Sequence, residues 1–321
     1  MIIRFGYVAL ALNLDKVTSS STLTFARYKK ILSEEKRLNE LKRVTLSNTE
    51  ALYKILEYNQ ERDIHFYRVT SKLIPLATHP EVMWDWEKYF TMDLRYIGKK
   101  IIESSMRVDS HPDQFNVINS TKDEVVRKTG INLLHHAELF ESMGLEPMDS
   151  RMVIHVGSSQ GGKKVALDRF ITNFMKLDPS VRKRLMLEND DKVFNVSDVC
   201  YISENLGIPI VLDIHHHRCN PSEKPLEMYL PQIFESWRQE KWPAKIHLSS
   251  PREGEKDLRK HSDFIDTHDF ENLIHCIKPY NQDCDIMLEC KRKDQALFKL
   301  VEDIKNCHPE WEWIDATTLK I

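Results

Sequence analysis

Short runs of β-branched and aliphatic residues alternate along the chain with longer stretches in which apolar positions recur every three or four residues. The short runs predict strands at residues 2–10, 64–69, 105–110, 151–156, 184–188, 209–214, 244–248 and 285–289. The longer pattern predicts helices, clearest at 34–58, 121–143, 226–237, 270–277 and 294–306. Stretches holding Pro, Gly or Asn, such as MGLEPMDS and NLGIPI, separate the elements. Eight strands with intervening helices in 321 residues predict one α/β domain over 1–321, a (β/α)8 TIM barrel. The alternative is a doubly wound open sheet, which usually needs fewer strands; no Gly-rich phosphate loop follows the first run.

Five predicted strands share a finer pattern. In each, about three mostly apolar positions lead into one histidine or carboxylate. These are His155 in MVIHV, Glu188 in LMLEN, Asp213 in IVLDI, His247 in AKIHL and Glu289 in IMLEC. Both faces of a parallel barrel are covered, so charge there is costly unless paired or metal-bound. The C-terminal strand ends are also where barrel enzymes place their chemistry. Singly, each residue has a structural explanation, as a hydrogen-bonded core histidine or a capping carboxylate. Converging, the five would repel or strand one another without cations, and they predict a metal cluster.

Two loop histidines are weaker candidates, because His-Pro steps are common in loops: His111 in VDSHPDQF and His79 in PLATHP. In VLDIHHHRCN, strict alternation from Asp213 aims His215 inward and His216 outward. That order fails if the strand ends or bulges after Ile214, so the pattern leaves His215, His216 and His217 open. Imidazoles mixed with carboxylates suit Mn2+, Zn2+ or Fe2+ better than Mg2+. More ligands than one ion can hold imply at least two ions, with Glu188 the bridge. Paired ions about 3.5–4 Å apart suit phosphodiester hydrolysis.

Composition narrows the classes. The six cysteines form no CxxC pair and read as thiols in a reducing compartment. MIIRFGYVAL reads as a first strand and not a signal peptide. No stretch approaches 18 apolar residues, so no membrane span is expected. A net charge of −3 neither requires nor forbids a nucleic-acid partner, because a local basic surface sets backbone affinity. PREGEKDLRKHSD, after the seventh strand, is too polar for core.

Taken in order, FGYVAL, PLATHP, SHPDQF, VIHVG, LMLENDD, LDIHHHRC, KIHLSSPRE, HSDFI and IMLECKRKDQAL resemble the UV damage endonuclease family, from residue 2 to about 306. More distantly, the ligand logic is similar to that of endonuclease IV-like barrels. The resemblance implies a DNA repair enzyme that nicks damaged double-stranded DNA immediately 5′ to cyclobutane pyrimidine dimers and 6-4 photoproducts. The products would carry a 3′-hydroxyl and a 5′-phosphate. It implies a cluster of two to three divalent ions, typically Mn2+, with no organic cofactor and no obligate protein partner. Glu188 would bridge; Asp213, His247 and Glu289 would share one ion with it, and His111 and His155 a second. His216 and His261 would serve a third ion, joined by Asp263, and His79 would be a further ligand or an aid to the attacking water. This choice of His216 over His215 implies a strand break at Ile214.

Lys245, two residues before His247, should also face inward, an odd place for an ammonium. Its bland reading is a pair with a carboxylate such as Asp263; the resemblance implies an N6-carboxylysine. Gln114 and Phe115 match the pair that probes the helix opposite the lesion, where the family commonly has tyrosine second. Tyr7 matches an aromatic near the flipped lesion. Lys72, Arg95, Lys163, Lys164, Arg252, Lys256, Arg259 and Lys291 are available for backbone contacts. The expected location is cytoplasmic. The rivals are an apurinic-site endonuclease or other phosphoesterase, a sugar isomerase of the same barrel type, and a metal-stabilised scaffold without catalysis.

Overall fold

A computed structural model of the chain describes residues 1–254 and 256–321. Eight parallel strands form its centre: β1 (Ile2–Val8), β2 (Phe66–Val69), β3 (Arg107–Ser110), β4 (Ser150–His155), β5 (Leu185–Glu188), β6 (Ile210–Asp213), β7 (Ala244–Leu248) and β8 (Cys284–Leu288). Each pairs with the next in sequence, and β1 pairs in parallel with both β8 and β2, which closes the barrel. The eight expected strands are all present, within two residues at nearly every boundary. Gly6 sits where β1 and β2 approach closely, since a Cβ there would lie 2.4 Å from the Phe66 carbonyl oxygen.

A C-terminal hairpin, β9 (Glu312–Trp313) and β10 (Thr318–Lys320), was not expected from the pattern. β10 runs antiparallel to the start of β1, Ile2 opposite Lys320, below the point where β2 begins to pair at Gly6. It covers a strand edge that the short β2 would leave open.

The expected helix at 34–58 is Glu34–Glu61, capped by Ser33, and that at 121–143 is Asp123–Met143, closed by left-handed Gly144. The expected helix at 226–237 is broken into a 3-10 turn, Leu226–Met228, and a short helix, Leu230–Glu235. Pro231 explains the break: without an N–H it starts a helix but cannot continue one. Helices Glu87–Glu103, Lys163–Phe174 and Val196–Leu206 complete the outer ring around the aliphatic core, with helices Thr267–Ile277 and Lys293–Cys307 behind β7 and β8.

The barrel interior is unusually charged. Near its N-terminal end, Asp285 receives Arg4 at 2.6 and 2.7 Å and Arg107 at 2.6 Å. One level up, Lys245 donates to Asp109, whose other oxygen is 3.6 Å from Arg68. Above these lie the strand-end histidines and carboxylates.

Candidate metal centre

β4, β5 and β6 end on His155, Glu188 and Asp213, while His247 is the last inward position of β7 and Glu289 directly follows β8. Parallel register sets His155 opposite Glu188, and Asp213 opposite His247. Glu188 is the hub. One carboxylate oxygen is 2.8 Å from His111 Nε2 and 3.5 Å from His155 Nε2; the other is 2.6 Å from His247 Nδ1 and 3.6 Å from His216 Nδ1. Three groups able to hold an ion result, each including Glu188: with His111 and His155, with Asp213 and His216, and with His247 and Glu289.

The opening left by the triple histidine closes on His216. β6 stops at Asp213, and a helix spans Ile214–Cys219, with Asp213 as its N-cap accepting from the His216 N–H at 2.7 Å. A helical turn brings the third residue after the cap back over it. His216 Nδ1 therefore lies 3.6 Å from Asp213, whereas His215 is buried elsewhere, 5.1 Å from the His261 ring.

Burial by itself would raise the Glu188 carboxyl, but the imidazoles of His247 and His155, with hydrogen bonds from His111 and His247, hold it well below the usual range. Its neighbour Asp213 goes the other way, pushed well above that range by burial and by the nearby Glu188 and Glu289 charges. Partial burial would lower His216, yet Asp213, Glu188 and Glu289 push it up to about 9. Crowded carboxylates here recruit a proton where a cation would serve better. Asp213 Oδ2 and His155 Nδ1 are buried with no hydrogen-bond partner among the described residues, in keeping with a donor set that lacks its ion. The residues fit a divalent metal cluster.

Two contributors escaped the sequence reading. Arg68 donates to Glu289 at 2.5 Å and contacts His247 Nε2 at 2.6 Å. Asp109 is the partner of Lys245, correcting the suggested Asp263, which is exposed and 3.8 Å from Arg292. Both sit inside four-residue strands, FYRV and RVDS, each one place before the strand end; a charge within a buried strand was the available signal.

Other expected positions fall around this hub. Among the described residues, His261 hydrogen-bonds to no cluster side chain; its Nδ1 meets the Glu289 carbonyl oxygen at 2.6 Å, and neither it nor Asp263 joins the three groups. His79 is also outside them, stacked 3.9 Å from Phe25. Gln114 and Phe115 are exposed, Phe115 by 79%, on the rim of a cleft of about 500 Å3 that reaches His111 and Arg68. Tyr7 lies within β1, not after it, and is fully buried, its hydroxyl donating to Asn59 at 2.6 Å on the long helix outside the barrel. Strand alternation explains this: Arg4 faces the interior, so Tyr7 faces out, and Val8 lines the cleft instead. Lys163, Lys164 and Arg259 are already paired, with Asp198, Asp168 and Asp257.

Known proteins share both the sequence and the fold. The family described as UV-endonuclease UvdE matches residues 3–313. The UV DNA damage endonuclease of Bacillus cereus (strain B4264) is 39% identical over 304 residues, 95% of each protein. The crystal structure of SacUVDE superposes with a TM-score of 0.84 at 37% identity, over 95% of this chain and 99% of that one. Endonuclease IV from Thermus thermophilus shares the fold at a TM-score of 0.54 and 13% identity, over 94% and 99%.

Proposed function

The chain belongs to the UV-endonuclease UvdE family, and we propose that it hydrolyses the phosphodiester immediately 5′ to UV photoproducts in duplex DNA. The observation that carries this is the set of three histidine and carboxylate groups sharing Glu188 at the C-terminal rim of the barrel. The products are a 3′-hydroxyl and a 5′-phosphate, and the substrates are cyclobutane dimers and 6-4 photoproducts.

Glu188 with His111 and His155 would hold one ion, and Glu188 with Asp213, His247 and Glu289 another, both Mn2+. His216 would serve a third position with Glu188 and Asp213, while His261, Asp263 and His79 lie outside the three groups. When bound, such ions supply Lewis acidity toward the phosphodiester and make water a stronger acid. The chain's own residues do the rest. Arg68 keeps Glu289 and His247 oriented from below, fixing two side chains that would hold an ion. Gln114 and Phe115 stand free on the rim, where an aromatic face can stack into a helix already weakened by an intrastrand dimer. Tyr7 is buried and donates to Asn59, so Val8 is the neighbouring β1 residue that lines the cleft.

Lys245 is the candidate N6-carboxylysine. Burial pushes its ammonium down to about 7 despite the attraction of Asp109, so a large fraction is neutral amine, the form that adds CO2 with loss of a proton. Isotopically labelled CO2 and NMR would detect the carbamate; a spectrum without it at saturating CO2 removes the modification. Six free cysteines support a reducing, cytoplasmic setting. Among the described residues, no helix is long and apolar enough to cross a membrane.

The test is a nicking assay on a duplex carrying one defined dimer, with protein stripped of metal and then reconstituted with Mn2+, Mg2+ or Zn2+. Cleavage at the 5′ side of the lesion, lost on stripping and best restored by Mn2+, is expected. Equal cleavage of an abasic duplex, with no preference for the dimer, would replace this reading with the apurinic-site one.

A further inference from the structure

Beside the metal centre lies a second cavity, of about 490 Å3, whose lining is dominated by cations. Glu289 and His261 mark its side toward the centre; Arg252, Lys291 and Lys293 line it from the segments after β7 and β8. Arg68 also reaches it, but is engaged with Glu289 and so cancels that carboxylate's charge toward the cavity. Arg252, Lys291 and Lys293 make no side-chain hydrogen bond or ion pair with any described residue. By contrast, Lys163 has Asp198 and Arg259 has Asp257. Like charges that converge without a counter-ion are costly unless an anion joins them.

Lys293 adds two further signs. It is half-buried, and burial lowers its ammonium from the ordinary lysine value, while the negative Glu289 acts against that shift. Its backbone is left-handed, φ 49°, a region that residues other than glycine rarely adopt. Strain of this kind collects where a ligand is held.

We propose that this cavity is a phosphate subsite, which takes the backbone phosphate next to the scissile one, with Lys293, Arg252 and Lys291 as its contacts. The identity of that phosphate rests on the nuclease reading above; the capacity to bind phosphate does not. A guanidinium fork and two ammonium point charges match the tetrahedral, doubly contacted oxygens of a phosphodiester. The cavity shares Glu289 with the metal centre, so a strand seated here is registered for hydrolysis one phosphate away.

The probe is inorganic phosphate, titrated into metal-free protein and followed by calorimetry, so that no bound ion contributes. Lys293→Gln should weaken it at least about tenfold, and Lys293→Arg by no more than about threefold. On undamaged duplex, Lys293→Gln should lower the slope of log affinity against log salt by about 0.9 and leave the preference for a dimer unchanged. Unchanged phosphate affinity together with an unchanged slope would overturn the subsite. Should Lys293→Gln fail to fold by circular dichroism, the Arg252→Gln, Lys291→Gln double variant carries the same expectations. Wild type that binds phosphate through Lys293 yet never nicks a dimer would keep the subsite and remove the nuclease reading. A protein that nicks dimers, with phosphate binding indifferent to Lys293, would do the reverse.

Discussion

The two ends of the barrel interior handle buried charge in opposite ways. At the N-terminal end, Asp285 lies between Arg4 and Arg107, with partners that cannot change their protonation. That end carries a fixed set of charges. At the C-terminal end, Glu188, Asp213 and Glu289 face histidines, which can gain or shed protons, and among the described residues only Arg68 is a permanently positive contact. That end is left open to a cation. The difference separates charge that holds the barrel together from charge that is kept ready for a ligand. Burial is the same in both, so exposure alone would not distinguish them.

The largest expected effect comes from the hub. Glu188→Gln should lower nicking of a dimer-bearing duplex about a thousandfold or more, because it removes a ligand common to all three groups. Metal content should fall with it and lesion binding should partly survive. The metal-free variant should lose no more than about 1 kcal/mol of stability, since the imidazoles left behind can shed their protons. Nicking at a near wild-type rate would end the bridging role.

The opposite result is expected below. Asp285→Asn strands the buried Arg107 and the half-buried Arg4 guanidiniums and should destabilise the fold by about 3–5 kcal/mol in urea unfolding. Metal bound per folded molecule should not change. If metal were lost in step with stability, the two ends would not be independent.

The smallest effect isolates burial from the company of carboxylates. His135 and His136, on helix Asp123–Met143, are buried, and burial lowers them to about 4 and about 3, with no carboxylate opposing it. A folded-state value below the unfolded value means that the folded protein binds fewer protons as pH falls from about 6.5 toward 3. Their contribution is therefore intact above pH 6.5 and lost as the solution is acidified. Replacing His136 with Leu should reduce the loss of unfolding free energy between pH 7 and pH 5 by roughly 2 kcal/mol. An acid limb identical to wild type would show that His136 titrates normally. His216, half-buried among carboxylates, is raised instead.

Much of this was legible in the chain. The alternation of short apolar runs and longer helical patterns determined the barrel, and a polar residue at the same place in five runs located the centre. Both signals are local and periodic, so they survive without coordinates. Three-dimensional contacts decided the rest. His216, and not His215, joined the hub because the chain turned helical after Asp213. Tyr7 faces out of the barrel because one inward residue, Arg4, fixes the parity of β1. Lys245 found Asp109, and Glu289 found Arg68, across strands distant in sequence. Sequence determines which side chains a strand presents and on which face; which of them meet is set by the register and closure of the sheet. Those depend on packing summed over the whole molecule, and no short stretch contains it.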